Sequence, residues 1–247
     1  MDPIVKDTFD ALKRNRFDVH LVETIDEAHE KVMELIPVGA TVGIGDSTSV
    51  RQLEVIPRLQ TEARIVVNPF SKDISEAINT GQISLSQSHR IDCLALYCEY
   101  FLTGSNVLTR DGKLLNIDGA GNRVVGQMFG PEHVVLVIGT NKIVEDLAAG
   151  YERMRNVISP QHAKIKNRKT PCAITEKCED CTSPERICNV TGIIEKNPGM
   201  TDIHIVLVNE DLGLGWEWDW PEDRVKDVYE TYAELTYLKR PDWRKEQ

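Results

Sequence analysis

No apolar run in this chain approaches the roughly 20 residues that cross a bilayer. The segment Met1–Lys6 carries no apolar core of the kind a secretory leader needs. The expectation is a cytoplasmic protein with no membrane insertion. Positive charge is also in deficit: 29 Lys and Arg stand against 39 Asp and Glu, a formal net charge of −10. That balance argues against nucleic acid as a partner, because affinity for a phosphate backbone comes from surplus Lys and Arg. None of the six histidines falls in a paired metal spacing. Gly43-Ile44-Gly45 lacks both the Gly-Lys-Ser/Thr of a P-loop and the third glycine of a dinucleotide fingerprint. There is no nucleophile elbow, internal repeat or low-complexity segment.

What is present in concentrated form is cysteine. Cys172, Cys178, Cys181 and Cys188 follow the spacing C-x5-C-x2-C-x6-C. Four thiolates complete the shell of one tetrahedral zinc or one iron–sulfur cluster. In a reducing compartment such a group points to metal before disulfides. Zinc sites commonly use two C-x2-C knuckles and this segment has one, so the spacing favours a [4Fe-4S] cluster, with zinc as the alternative. Cys93 and Cys98 sit in the apolar run Ile91–Leu102 and read as plain core.

At 247 residues and 41% hydrophobic content the chain can bury a sizeable core. Apolar runs alternate with helical patterns, the mark of an α/β fold. Strands are expected at Phe17–Val22, Ala40–Ile44, Arg64–Val67, Ile91–Tyr97, His133–Ile138 and Ile203–Val208. Helices are expected from Pro3 through Leu12, after the capping box Thr24-Ile25-Asp26-Glu27, and over Asn141–Ile158 with Pro160 beyond the end. Arg110-Asp111-Gly112-Lys113 joins two short apolar runs as a hairpin. The cysteines then fall in an excursion over residues 165–200, between a helix and a strand of one α/β domain spanning 1–213. Residues 214–247, with Trp216, Trp218 and Trp220, read as a tail that caps the core or forms a homo-oligomer contact.

Several loops follow strands, where open α/β sheets place ligands. Gly43, Gly45, Ser47 and Thr48 form one candidate loop; Thr103, Gly104 and Ser105 form a second. Asp118, Asn122, Arg123 and Lys142 could close a polar cleft around a small anionic substrate, with Arg123 as the anion partner. Glu99, just upstream of the second loop, is the candidate base or nucleophile. The basic stretch Lys164-Ile165-Lys166-Asn167-Arg168-Lys169 reads either as a solvated loop or as positive charge set against a thiolate cluster.

Thr103-Gly104-Ser105 with the hairpin, Asp118-Gly119-x-Gly121-Asn122-Arg123, Gly139-x-Asn141-Lys142-Ile143-Val144 and Cys178-x-x-Cys181-x-Ser183-Pro184-x-Arg186-x-Cys188-Asn189 together resemble the LUD-domain family of lactate-utilisation proteins. The resemblance covers roughly Lys6 to Gly213. It implies a Rossmann-like, mostly parallel sheet flanked by helices, similar to the sugar-phosphate isomerase and CoA-transferase superfamily. It also implies an association with iron–sulfur oxidoreductase partners in the oxidation of lactate to pyruvate. The four-cysteine segment departs from the ordinary lactate-utilisation type. Three functions therefore stand as expectations: a redox protein with an iron–sulfur cluster acting on a small hydroxy or carboxylic acid, an isomerase or acyl-transfer enzyme using Glu99, and a noncatalytic subunit held by zinc.

Overall fold

The computed structural model describes residues 2–62, 64–213, 221–223 and 226. Trp216, Trp218 and Trp220 lie outside them, as does almost all of the 214–247 tail. Along the chain the strands are β1 (Asp18–Val22), β2 (Thr41–Ile44), β3 (Ile65–Val67), β4 (Tyr100–Thr103), β5 (Val107–Thr109), β6 (Leu114–Asp118), β7 (His133–Gly139), β8 (Ile143–Val144), β9 (Val190–Ile194) and β10 (Asp202–Val208). The helices are α1 (Pro3–Arg14), α2 (Ile25–Leu35), α3 (Thr48–Gln52), α4 (Val55–Thr61), α5 (Lys72–Asn79), α6 (Leu85–Leu96), α7 (Asn122–Met128), α8 (Leu147–Arg153), α9 (Ser159–Ile165) and α10 (Cys172–Thr175).

Among the described residues, six strands form one parallel sheet in the order β1-β10-β7-β4-β2-β3. Its central strands read as near-continuous apolar runs because helices or other strands cover both faces. In β7, Val135 and Val137 turn toward α2 and α4, packing with Val32, Ile36 and Leu59. Val134, Leu136 and Ile138 turn the other way, toward Leu12 of α1 and toward Leu108 and Leu114 of the second sheet. That second sheet, β8-β5-β6-β9, lies over the first. Its outer side, Val107, Leu115 and Ile117, packs against Met154, Ile158 and Cys188. Hairpin strands β5 and β6 are antiparallel, as the Asp111-Gly112 turn requires.

The chain departs from expectation in two places. Ile91–Tyr97 is not a strand but the end of α6. A short apolar run does not by itself separate a buried strand from a helix. Here the Ser84 hydroxyl accepts from Gln87 N–H while the Gln87 carboxamide accepts from Ser84 N–H, a reciprocal cap that starts a helix. The helix expected over Asn141–Ile158 begins later and runs past Pro160. A wide π-type turn, Met154–Ile158, joins α8 to α9, and Ser159 N–H reaches back five residues to Met154. Pro160, lacking an N–H, sits at the start of α9, where none is needed.

The cysteine excursion also gains a strand. After Cys188 the chain pairs β9 antiparallel to β6, from Val190 opposite Asp118 to Ile194 opposite Leu114. The segment is thereby fastened to the second sheet before it returns to the first as β10.

Candidate functional site

The C-terminal ends of β2, β4, β6 and β7 converge on a cleft of about 240 Å³. It is small beside the roughly 300–1,000 Å³ typical of drug-sized ligands. The loop after β2 supplies Asp46, Ser47, Thr48 and Ser49, and the loop after β4 supplies Gly104, Ser105 and Asn106. Asp118, Asn122 and Arg123 form one side, and Lys142 faces the same space. Of the residues proposed from sequence, Ser47, Thr48, Gly104, Ser105, Asp118, Asn122, Arg123 and Lys142 all meet here.

Gly43, Gly45 and Thr103 stand behind the cleft and serve packing. A Cβ on Gly43 would lie 1.9 Å from the Ala95 carbonyl oxygen, so this glycine admits α6 against β2. A Cβ on Gly45 would meet the Thr103 hydroxyl at 2.6 Å. Glu99 is at the wrong end of the sheet. It precedes β4, and its carboxylate accepts from the Thr41 N–H at 2.9 Å and the Thr41 hydroxyl at 3.1 Å, where β2 begins. These bonds hold its carboxyl below the usual range. The length of β4, roughly 13 Å at about 3.3 Å per residue, separates it from the cleft. A base or nucleophile role for Glu99 in this cleft is thereby excluded.

Arg123 is also not the anion clamp its sequence position suggests. Its terminal nitrogens donate to the carbonyls of Gly104 (3.1 Å) and Ile117 (2.8 Å) and to the side-chain oxygens of Asn116 (2.9 Å) and Asn106 (2.7 Å). Those bonds knit the loops together and use the four N–H groups best placed to grip a ligand. Asp118 is occupied too, accepting from the N–H groups of Ala120 (3.2 Å), Arg123 (3.1 Å) and Val124 (3.4 Å) at the start of α7.

Lys142 lies on the floor of the cleft, buried, donating to the Ser49 hydroxyl at 2.9 Å and the Ser105 carbonyl at 3.1 Å. Burial, with the nearby charges of Arg123 and Arg153, pushes its amine down to about 7. Asp46 stands on the other side. Burial alone would raise its carboxyl, but Lys166 at 3.3 Å and Arg51 at 3.1 Å overcome this and hold it far below the usual range. His162, between them, is pushed down to about 3 by burial and by Lys166, and is neutral near pH 7.

The remaining wall comes from Ile158 at the end of the expected helix, Ser159 and His162 beyond that end, Lys166 and Arg168 of the basic stretch, and Ile187 of the cysteine segment. Two of them hold buried polar atoms with no protein partner, the Ser159 hydroxyl and Arg168 Nε. Buried polar atoms ordinarily find partners, so an acceptor-rich guest in the cleft would satisfy both. The basic stretch Lys164–Lys169 was the available signal; only the fold shows which of its members turn inward.

The cysteine segment adjoins this wall. Cys188 is buried and packs on Ile117 and Ile158, both of which line the cleft. The Asn189 N–H donates to the Asp118 carbonyl at 2.9 Å, and its side chain donates to the Gly119 carbonyl at 3.0 Å. Arg155 Nη1 lies 3.7 Å from Cys188 Sγ, and Arg186 bonds to Asp180 at 2.8 Å and to the Cys181 carbonyl. Burial pushes the Cys188 thiol up while Arg186 and Arg155 pull it toward the thiolate. All six cysteines are free thiols. Cys98 is buried, and Cys93 is half-buried on α6 beside His89. Among the described residues, no three of the four clustered sulfurs lie within 4.8 Å of one another.

A family model described as the LUD domain matches residues 5–208. Among solved structures, the chain is similar to a DUF162 family protein from Deinococcus radiodurans, at 12% identity over 83% of this chain and 96% of that one, with a TM-score of 0.45. No curated protein matches. Among the described residues, no helix is long and apolar enough to cross a membrane.

Proposed function

The chain belongs to the LUD-domain family, and from that premise we propose that it binds a small hydroxy or oxo carboxylic acid in the cleft and carries an iron–sulfur cluster on Cys172, Cys178, Cys181 and Cys188 beside it. The observation that carries this reading is the shared wall. Ile117, Ile158 and Ile187 face the cleft on one side, and Cys188 packs directly behind the first two.

The cleft's charge supports an anionic guest. Arg123, Lys166 and Arg168 outnumber Asp46 and Asp118 around it, in a chain that is otherwise strongly acidic. With the terminal nitrogens of Arg123 engaged, Arg168 Nε and the Ser159 hydroxyl are buried without a protein partner and have hydrogen-bonding capacity to spare. Lys142 and Ser49 would meet the other end of such a ligand.

The donor chemistry supports the cluster: four thiolates with a single C-x2-C knuckle and irregular outer spacings, where zinc sites commonly use two such knuckles. Arg155 and Arg186 offset the negative charge of the thiolates. When bound, the cluster supplies one-electron transfer, which accords with an iron–sulfur oxidoreductase as partner. The isomerase or acyl-transfer reading loses its base with Glu99 at the far end of the sheet.

Anaerobic purification with iron, sulfide and zinc analysis, an absorption spectrum and EPR tests the cluster. A brown protein with about four irons supports it; a colourless protein with one zinc overturns it. Calorimetry with lactate, pyruvate and inorganic phosphate tests the cleft. Carboxylate binding that Arg168→Gln weakens supports the assignment, and affinity indifferent to that change overturns it.

A further inference from the structure

A second donor set lies at the opposite edge of the main sheet, where the strands begin. Asp18 and His20 are two residues apart on β1 and so share one face. Asp18 is in register with His204 on the adjacent strand β10. Three side chains far apart in sequence therefore converge. Asp18 Oδ2 lies 3.0 Å from His20 Nε2 and 2.7 Å from His204 Nδ1. The three donor atoms lie within 4.8 Å of one another.

Two imidazoles and one carboxylate on one face form the ligand set that first-row transition ions take when open positions remain for water or another ligand. Ligands about 2.1 Å from one ion sit about 3 Å apart when their bonds meet near a right angle, close to the separations here. The side chains of Asp18, His20 and His204 are 54%, 26% and 18% exposed, which leaves the outer side of the site open to solvent. The far nitrogen of His204, Nε2, lies 3.3 Å from His133 Nδ1. The His133 ring in turn stacks on Tyr100 with centroids 4.7 Å apart. That chain fixes the ring that would present Nδ1 to an ion, the arrangement by which outer partners orient metal-binding histidines. Glu34 on α2, ion-paired with Lys31, and Glu99, bonded to Thr41, are the carboxylates that feel His20 and His133.

We infer that Asp18, His20 and His204 bind a divalent first-row transition ion such as zinc or nickel(II), with His133 holding His204 in place. Two nitrogen donors set it apart from an oxygen-lined magnesium or calcium site. It shares no residue with the cleft or with the cysteine segment.

Nickel(II) is a suitable probe, because its spectrum separates nitrogen and oxygen ligands from thiolates. It is titrated into the full chain and into a Cys172→Ser/Cys178→Ser variant, followed by calorimetry and absorption. The expected result is one equivalent without thiolate charge-transfer bands, bound equally by both proteins. His20→Gln and Asp18→Asn should each weaken it tenfold or more, and His133→Phe about tenfold, with melting curves confirming that each variant folds. Asp18→Asn keeps the size and hydrogen bonding of the side chain, so it remains informative if a histidine variant fails to fold. If all bound nickel is thiolate-ligated, or if Asp18→Asn leaves affinity unchanged, the site does not exist.

Discussion

Lys142 Nζ rests 2.9 Å from the Ser49 hydroxyl, so a buried amine from the loop after β7 meets a neutral partner from the loop after β2. With no carboxylate among its bonded partners, its pKa is lowered to about 7 by burial first and then by Arg123 and Arg153, so the amine is about half charged around neutral pH.

This has a defined sign in stability. The unfolded chain protonates this amine near 10.5 and the folded chain near 7. Between those values the unfolded state holds more protons, so the cost is complete below about pH 7 and fades as pH rises toward 10.5. Lys142→Met should therefore gain stability relative to wild type at about pH 6 and lose most of that advantage by about pH 10. Guanidinium melts at several pH values measure the difference. A gap that stays constant with pH would show that the amine is not desolvated.

Ser159→Ala separates stability from binding. Removing a buried hydroxyl that has no partner should be neutral, or stabilising by up to about 1 kcal/mol. The same change should weaken carboxylate binding several-fold, and Arg168→Gln should weaken it at least tenfold. Thermal melts paired with calorimetry give both readouts. A Ser159→Ala protein that melts markedly lower would mean the hydroxyl has a partner within the fold.

Glu99→Gln should leave ligand affinity within about twofold of wild type. It should lower stability only slightly, because the two bonds from Thr41 weaken when their acceptor loses its charge and the site is open to solvent. A large loss of binding with unchanged stability would return Glu99 to the site.

Arg155→Gln should move the reduction potential of a bound cluster downward by roughly tens of millivolts, since it removes a positive charge beside Cys188. A potentiometric titration followed by EPR reads this directly. An unchanged potential would mean that Cys188 is not a ligand or that solvent screens the guanidinium.

The α/β architecture was legible because strand and helix periods alternate cleanly, and because β7 and β10 are apolar on both faces. The loops at Ser47, Gly104, Arg123 and Lys142 were legible as neighbours through the rule that sheets gather ligands at their C-terminal ends. Their individual roles were not. Arg123 and Asp118 are consumed by contacts within the loops, which only three-dimensional bonding reveals. Glu99 was misplaced by a single error: taking the end of α6 for a strand put the glutamate after a strand when it precedes one. Ser159 and Arg168 carry no motif, and they become notable only once their polar atoms are seen buried without partners. The Asp18, His20 and His204 set escaped for a similar reason, since no spacing along the chain announces a register between β1 and β10.

The π-type turn at Met154–Ile158 works as an angular offset in a rod. It takes in one residue more than an α-turn, and each residue advances a helix by about 100°. Within the turn Met154 and Ile158 pack on the second sheet, Ile158 also reaching the cleft; after it, Ser159 and His162 turn to the cleft. Deleting one residue there would leave the Ser159 and His162 side chains chemically intact yet swing them about a quarter turn away from the ligand. The wall thus depends on a residue count as much as on residue identity, and sequence identity alone would overstate how far a relative lacking that extra residue shares this cleft.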